Sequence, residues 1–109
     1  MKQKDGGFIV IDKLRELCRA GHIKWTLHAL NRIRERKIAS IDVVDAMIQG
    51  EVIMYYHDDK PFPSWLIYNQ DVFRPLHVVA STDGSKAHII TAYVPNLDEW
   101  EADCKTRKE

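Results

Sequence analysis

The chain reads as an α+β domain, with helices first, a four-stranded antiparallel meander second and one closing helix. Three observations predict this. Apolar residues recur at helical spacing, between capping signals, through the first fifty positions. From Glu51 the pattern switches to short runs rich in β-branched and aromatic residues. Between the last two runs stands Asp83-Gly84, a turn pair that makes the flanking strands antiparallel neighbours.

Asp12 is positioned to cap a first helix, in which "KLRELCRA" places Leu14, Leu17 and Cys18 on one side before Gly21 ends it. "HIKWT" is a short extended piece. A second helix runs from Leu27 or His28 to Lys37 and turns Ala29, Leu30 and Ile33 inward. That leaves His28, Arg32, Glu35 and Arg36 to face outward or into a cleft. Ser40 caps a third helix, "IDVVDAMIQ", with Asp42 in its first turn and Gly50 just past its end. The strands are "EVIMYYH", "SWLIYN", "PLHVVAST" and "AHIITAYV", separated by "DDKPFP", "QDVFR" and "TDGSK". Asn96 with Glu99 three residues on forms a reciprocal cap for the closing helix "LDEWEADCK", whose Trp100 packs back on the sheet. Residues 1–8 read as a polar tail and 105–109 as a charged one, so residues 1–109 form a single domain.

A chain of 109 residues with 45% apolar and 29% charged side chains can bury one core without metal or disulfide staples. No apolar run approaches the roughly 18 residues that span a bilayer, and the N-terminus turns charged too soon for a signal peptide. A cytoplasmic protein with no membrane contact is expected. Cys18 and Cys104 stand far apart, outside any CxxC or Cys/His cluster, so both read as buried or half-buried thiols. Net charge is zero but uneven: from Lys13 to Lys37 there are eight basic residues against two acidic ones. Such a basic third suits local phosphate contact better than a long nonspecific groove.

Candidate chemistry starts from "TLHALNRIRERKI", where helical spacing puts His28, Arg32 and Arg36 in one stripe. Two readings stand: a dock for an anion, or a solvated face with Glu35 as internal partner. Strict alternation in "HIITAYV" puts Ile89, Thr91 and Tyr93 on one face and His88, Ile90, Ala92 and Val94 on the other. His77, in the apolar run "PLHVV", is partly buried, either as a hydrogen-bonded core residue or as a functional group. Two imidazoles, a guanidinium and a phenol brought together would suit metal-independent RNA cleavage. One imidazole takes the 2′-hydroxyl proton, a second group protonates the leaving oxygen, and arginine stabilises the charge that grows on phosphorus. "HDDKP" is more economically a turn than a metal site, and Tyr55, Tyr56, Trp65 and Tyr68 read as core more readily than as base-stacking rings. Gly6-Gly7 is too short for a phosphate loop.

In order, "TLHALNRIRERKI", "IDVVDAMIQGEVIMYYHDD", "PSWLIY", "RPLHVVAS" and "IITAYVPNLDEW" resemble the blocks of a bacterial and phage family catalogued as domain of unknown function 4258, over about Ile23 to Lys108. That family looks related to the RelE-like and EndoU/colicin-like ribonuclease fold. The resemblance implies the toxin of a toxin–antitoxin pair, its cognate antitoxin carrying a zinc ribbon of CxxC pairs and a helix-turn-helix part. Carried over by motif, the functional candidates are His28 and Arg32 from "HAxxR", Arg36 from "ER", His77 from "PLHVV", and Thr91 and Tyr93 from "TAY".

The expectation is therefore a metal-independent endoribonuclease without cofactor, acting on RNA. His28 and His77 share acid/base work in either order, and Arg32, assisted by Arg36, binds the scissile phosphate. Tyr93 orients the phosphate or acts as acid, and Thr91 holds Tyr93 or a phosphate oxygen. The assignment requires these groups to open into one hollow. Its rivals are a noncatalytic domain binding nucleic acid or an acidic protein, and a metal-dependent nuclease built on Asp58, Asp59 and a histidine.

Overall fold

A computed structural model describes residues 2–70 and 74–109, with side chains from residue 11 onward, so the "QDVFR" connector falls largely outside the described residues. Three helices, α1 (Lys2–Arg19), α2 (Leu27–Glu35) and α3 (Ser40–Gln49), accompany a five-stranded sheet. Its strands are β1 (Ile23–Trp25), β2 (Glu51–Tyr56), β3 (Ser64–Asn69), β4 (Leu76–Thr82) and β5 (Ala87–Tyr93), in the spatial order β1-β5-β4-β3-β2. The expected antiparallel meander is β2 to β5. The fifth strand is the "HIKWT" piece, which pairs parallel to β5 with Ile23 opposite Ala87 and Trp25 opposite Ile89. Three residues carry too little alternation to announce a strand, and a parallel partner sixty-four positions away leaves no local turn signal.

All three helices pack on one face. Leu14, Leu17 and Cys18 of α1, Ala29 and Ile33 of α2, and Val43, Ala46 and Met47 of α3 meet Trp65, Ile67, Leu76, Val78, Ala80, Ala87, Ile89 and Ala92 of the sheet. Each large apolar side chain buried there contributes about 1.5–3 kcal/mol relative to exposure. Arg15 ties α1 to the end of α3, donating from Nη1 to the Ile48 carbonyl at 2.6 Å and from Nη2 to the Gly50 carbonyl at 2.9 Å. A guanidinium at a helix C-terminus answers both the unpaired carbonyls and the negative end of the dipole.

Local signals met mixed outcomes. Asp12 lies inside α1 rather than at its cap, because the helix starts ten residues earlier and takes in residues 2–8, read as tail. Gly6 and Gly7 lie inside that helix, where each costs about 1 kcal/mol relative to alanine. Thr26 caps α2, its Oγ1 accepting from the Ala29 N–H at 3.0 Å. For α3 the cap residue is Ala39, with no side-chain hydrogen bond, and Ser40 is already helical.

No closing helix forms; residues 96–108 make a hook of turns closed by a bridge between Trp100 and Arg107. The cause is local side-chain competition with the backbone. Asn96 Oδ1 accepts from the Asp98 N–H at 2.8 Å, and Asp103 Oδ1 accepts from the N–H groups of Lys105 and Thr106 at 2.9 and 3.0 Å. Cys104 between them adopts φ 60°, in the left-handed region. Trp100 still packs back on the sheet, as expected, and both cysteines are buried free thiols.

Candidate active site

The sheet face away from the helices carries the polar side chains, and one irregularity decides which. On that face His77 pairs with Tyr93 and Val79 with Thr91, but the next pair slips: Ala80 faces Ile89, and Ser81 faces His88. Ile90 is the extra residue, 41% exposed, while Ile89 is fully buried in the core. A bulge inverts alternation beyond it. His88 therefore shares a face with Thr91 and Tyr93, and Ile89 does not, the reverse of what strict alternation expects.

His77 is fully buried. Its Nε2 lies 2.7 Å from the Cys104 carbonyl, which can only accept, so Nε2 carries the proton and donates. Nδ1 is left to accept from the Tyr93 hydroxyl at 3.4 Å. Tyr68, Tyr93 and Trp100 stand edge-on to the ring, with centroids at 5.7, 5.2 and 4.6 Å. Burial pushes the imidazole below its ordinary range, against the opposing pull of its bond to Cys104. Burial likewise raises the Tyr93 phenol, with nearby Tyr56 adding to the effect. Both ring nitrogens are engaged and the ring is sealed under the C-terminal hook. The structure does not open His77 and His28 into one hollow.

The stripe on α2 runs beside the stretch of β5 that β1 leaves unpaired. Arg36 Nη1 donates to the Ala92 carbonyl at 2.8 Å and to Thr91 Oγ1 at 3.3 Å, capping that free edge. Arg32 pairs with Glu35 at 3.0 Å, both side chains more than a third exposed, an arrangement worth at most about 1 kcal/mol and readily exchanged. His28, in the first turn of α2, is exposed and lines a cleft of about 390 Å³. The remaining wall comes from Thr26, the Asp59–Phe62 loop, Ser81, and β5 from His88 to Ile90.

His88 is the residue that sequence reading passed over. Its Nε2 lies 3.1 Å from Asp83 Oδ2, and the Phe62 ring stands edge-on to it at 6.1 Å. Asp83 is itself fixed by the β4–β5 turn. Its Oδ1 accepts from the Ser85 and Lys86 N–H groups at 2.8 and 2.9 Å, and Gly84 supplies φ 96°. Those backbone donors, Ser85 first, hold the carboxyl well below the usual carboxylate range. The available signal was the "DGSKAH" spacing, which folds Asp83 and His88 together across one hairpin. At the cleft's other wall, Asp59 Oδ2 accepts from Ser64 Oγ at 2.6 Å, and outside the lining His57 sits 3.1 Å from Asp58. Among the described residues no group of three or more His, Cys, Asp or Glu converges to hold a metal ion.

Of the four rings expected in the core, Trp65 and Tyr68 are buried, whereas Tyr55 is 41% exposed at the β2 edge, stacked 5.3 Å from Trp65. No helix among the described residues is long and apolar enough to cross a membrane. The family model for a domain of unknown function, DUF4258, matches residues 25–94. No curated protein and no solved structure matches the chain. Every residue of the cleft, together with Asp83, falls inside the matched stretch; Trp100 and Cys104, which seal His77, fall outside it.

Proposed function

The chain belongs to the DUF4258 family, and from that premise we propose that it is a metal-independent endoribonuclease whose reaction takes place in the cleft lined by His28. The observation that carries the proposal is the cleft itself. An exposed imidazole, a side chain able to act as acid or base, lines a hollow beside a basic helix, next to Lys60 and the first turn of α2. No acidic residue occupies that first turn, so the partial positive charge of the helix end is left for a phosphate to answer.

In the proposed step the 2′-hydroxyl loses its proton to a neutral base and its oxygen forms a bond to phosphorus. The phosphorus–O5′ bond breaks, and the leaving 5′-oxygen takes a proton from an acid. The products are a 2′,3′-cyclic phosphate and a 5′-hydroxyl. His28 supplies one of the proton transfers. Arg32, released from Glu35, and Lys60 balance the charge on the nonbridging oxygens. His77, Tyr93, Thr91 and Arg36 act in this reading as the support of the sheet, since their polar atoms already serve one another and the backbone.

The wider role belongs to the same proposal: the toxin of a bacterial two-gene module, acting in the cytoplasm and neutralised by a zinc-ribbon and helix-turn-helix antitoxin. Resemblance supports it. The test is incubation of the purified chain with a fluorescent ribo-oligonucleotide in excess EDTA. Expected is cleavage leaving 2′,3′-cyclic phosphate ends, slowed about 10²-fold or more by His28→Ala with its circular dichroism spectrum intact. Binding without cleavage would favour the noncatalytic alternative, and cleavage only after divalent metal is restored would favour the metal-dependent one.

A further inference from the structure

Chain positions 28 and 88 supply two imidazoles to one cleft, from the first turn of α2 and from β5. Nothing in regular alternation puts the second one there. The inserted Ile90 turns His88 onto the polar face, at the price of an isoleucine left in solvent. Bulges of this kind re-aim side chains next to functional sites. Asp83 adds a second constraint: its Oδ1 is consumed by the turn, and its Oδ2 faces His88 Nε2. An ionised carboxylate only accepts, so Nε2 holds the proton and, in the neutral ring, Nδ1 carries the lone pair.

Resting on the ribonuclease reading above, we propose that His88 is the second acid–base group of the cleft, oriented by Asp83 and paired with His28. Neutral His88 takes the 2′-hydroxyl proton at Nδ1, and the carboxylate beside Nε2 stabilises the imidazolium that forms. His28, protonated, gives its proton to the leaving 5′-oxygen. One proton enters and one leaves, no electron changes hands, and a second turnover needs only exchange with water. Asp83 is a positioning residue. The Asp83→Asn change keeps an oxygen for the turn but presents an amide N–H to Nε2, which turns the lone pair away from the cleft.

The test compares wild type, His88→Ala and Asp83→Asn on the same ribo-oligonucleotide in EDTA, with and without added imidazole. Expected for His88→Ala is a loss of about 10²–10⁴-fold in kcat, partly restored by imidazole, with an unchanged thermal midpoint. For Asp83→Asn the expected loss falls on kcat with KM little changed. Wild-type cleavage that His88→Ala matches would overturn the His88 assignment and leave the ribonuclease standing. A loss in His88→Ala that follows the thermal midpoint and ignores imidazole would reduce His88 to a turn support. RNA left intact by the wild type would overturn both.

Discussion

His77 is a histidine whose burial was legible and whose environment was not. The apolar neighbours in "PLHVV" announce a ring inside the sheet, but only the hook from residue 96 onward supplies the carbonyl and the indole that seal it. Removing the ring strands the Cys104 carbonyl and leaves a void among aromatics. His77→Ala is expected to cost about 2–5 kcal/mol, read by denaturant unfolding, with any activity loss following the unfolded fraction. The pH dependence has a definite sign. The folded imidazole sits below its ordinary value of 6.5, so below that pH the unfolded chain binds more protons than the folded one. His77's contribution is complete above about 6.5 and declines as pH falls toward the lower folded value. His77→Gln should flatten that decline; an unchanged profile would contradict the buried neutral state. Gly50 tests packing alone. A Cβ there would stand 2.5 Å from the Ala46 carbonyl oxygen and 2.6 Å from Ile67 Cγ2, so Gly50→Ala should destabilise by about 1–3 kcal/mol in thermal unfolding.

Helices and strands were legible where a pattern repeats. The core side of α2, the span and C-terminal stop of α3 and the four-strand meander follow from periodicity, Gly50 and the Asp83-Gly84 turn. Where one residue breaks a pattern, sequence reading failed. Ile90 is an ordinary strand former, and nothing in "HIITAYV" marks it as an insertion. That single slip misassigned both Ile89 and His88. The closing segment failed for a different reason. Asn96 and Glu99 have the spacing of a reciprocal cap, but Asn96 and Asp103 each spend a side-chain oxygen on a tight turn. The hook is nevertheless held firmly through Trp100, which is buried against His77 and carries the Arg107 guanidinium 5.2 Å above its ring. Trp100→Ala should cost about 3–5 kcal/mol by chemical denaturation. It should also leave the cleft's own residues unchanged in kcat at temperatures where the variant is folded. A collapse of kcat in the folded variant would put the hook in the reaction.

At the scale of the whole molecule the charge count was legible and its use was not. The basic third from Lys13 to Lys37 looks like one surface in sequence, yet Arg15 serves the end of α3 and Arg36 serves the edge of β5. Arg32 stands one turn along α2 from His28, paired with Glu35, and Lys60 enters the cleft from a distant loop. A neutral molecule with so few free cations at its site should release few counterions. Binding of a noncleavable 2′-deoxy oligonucleotide is expected to fall with salt at a log–log slope of about −2, from two or three phosphate contacts at about 0.7 per contact. A slope several times steeper would mean a long basic groove that the cleft does not provide. The most direct measurement is nuclear magnetic resonance of the histidine rings during titration with a 2′-deoxy dinucleotide. The two-imidazole cleft predicts that the Cε1–H signals of His28 and His88 move together and saturate at one concentration, while that of His77 stays where it was. Movement of His77, or of neither His28 nor His88, would contradict it.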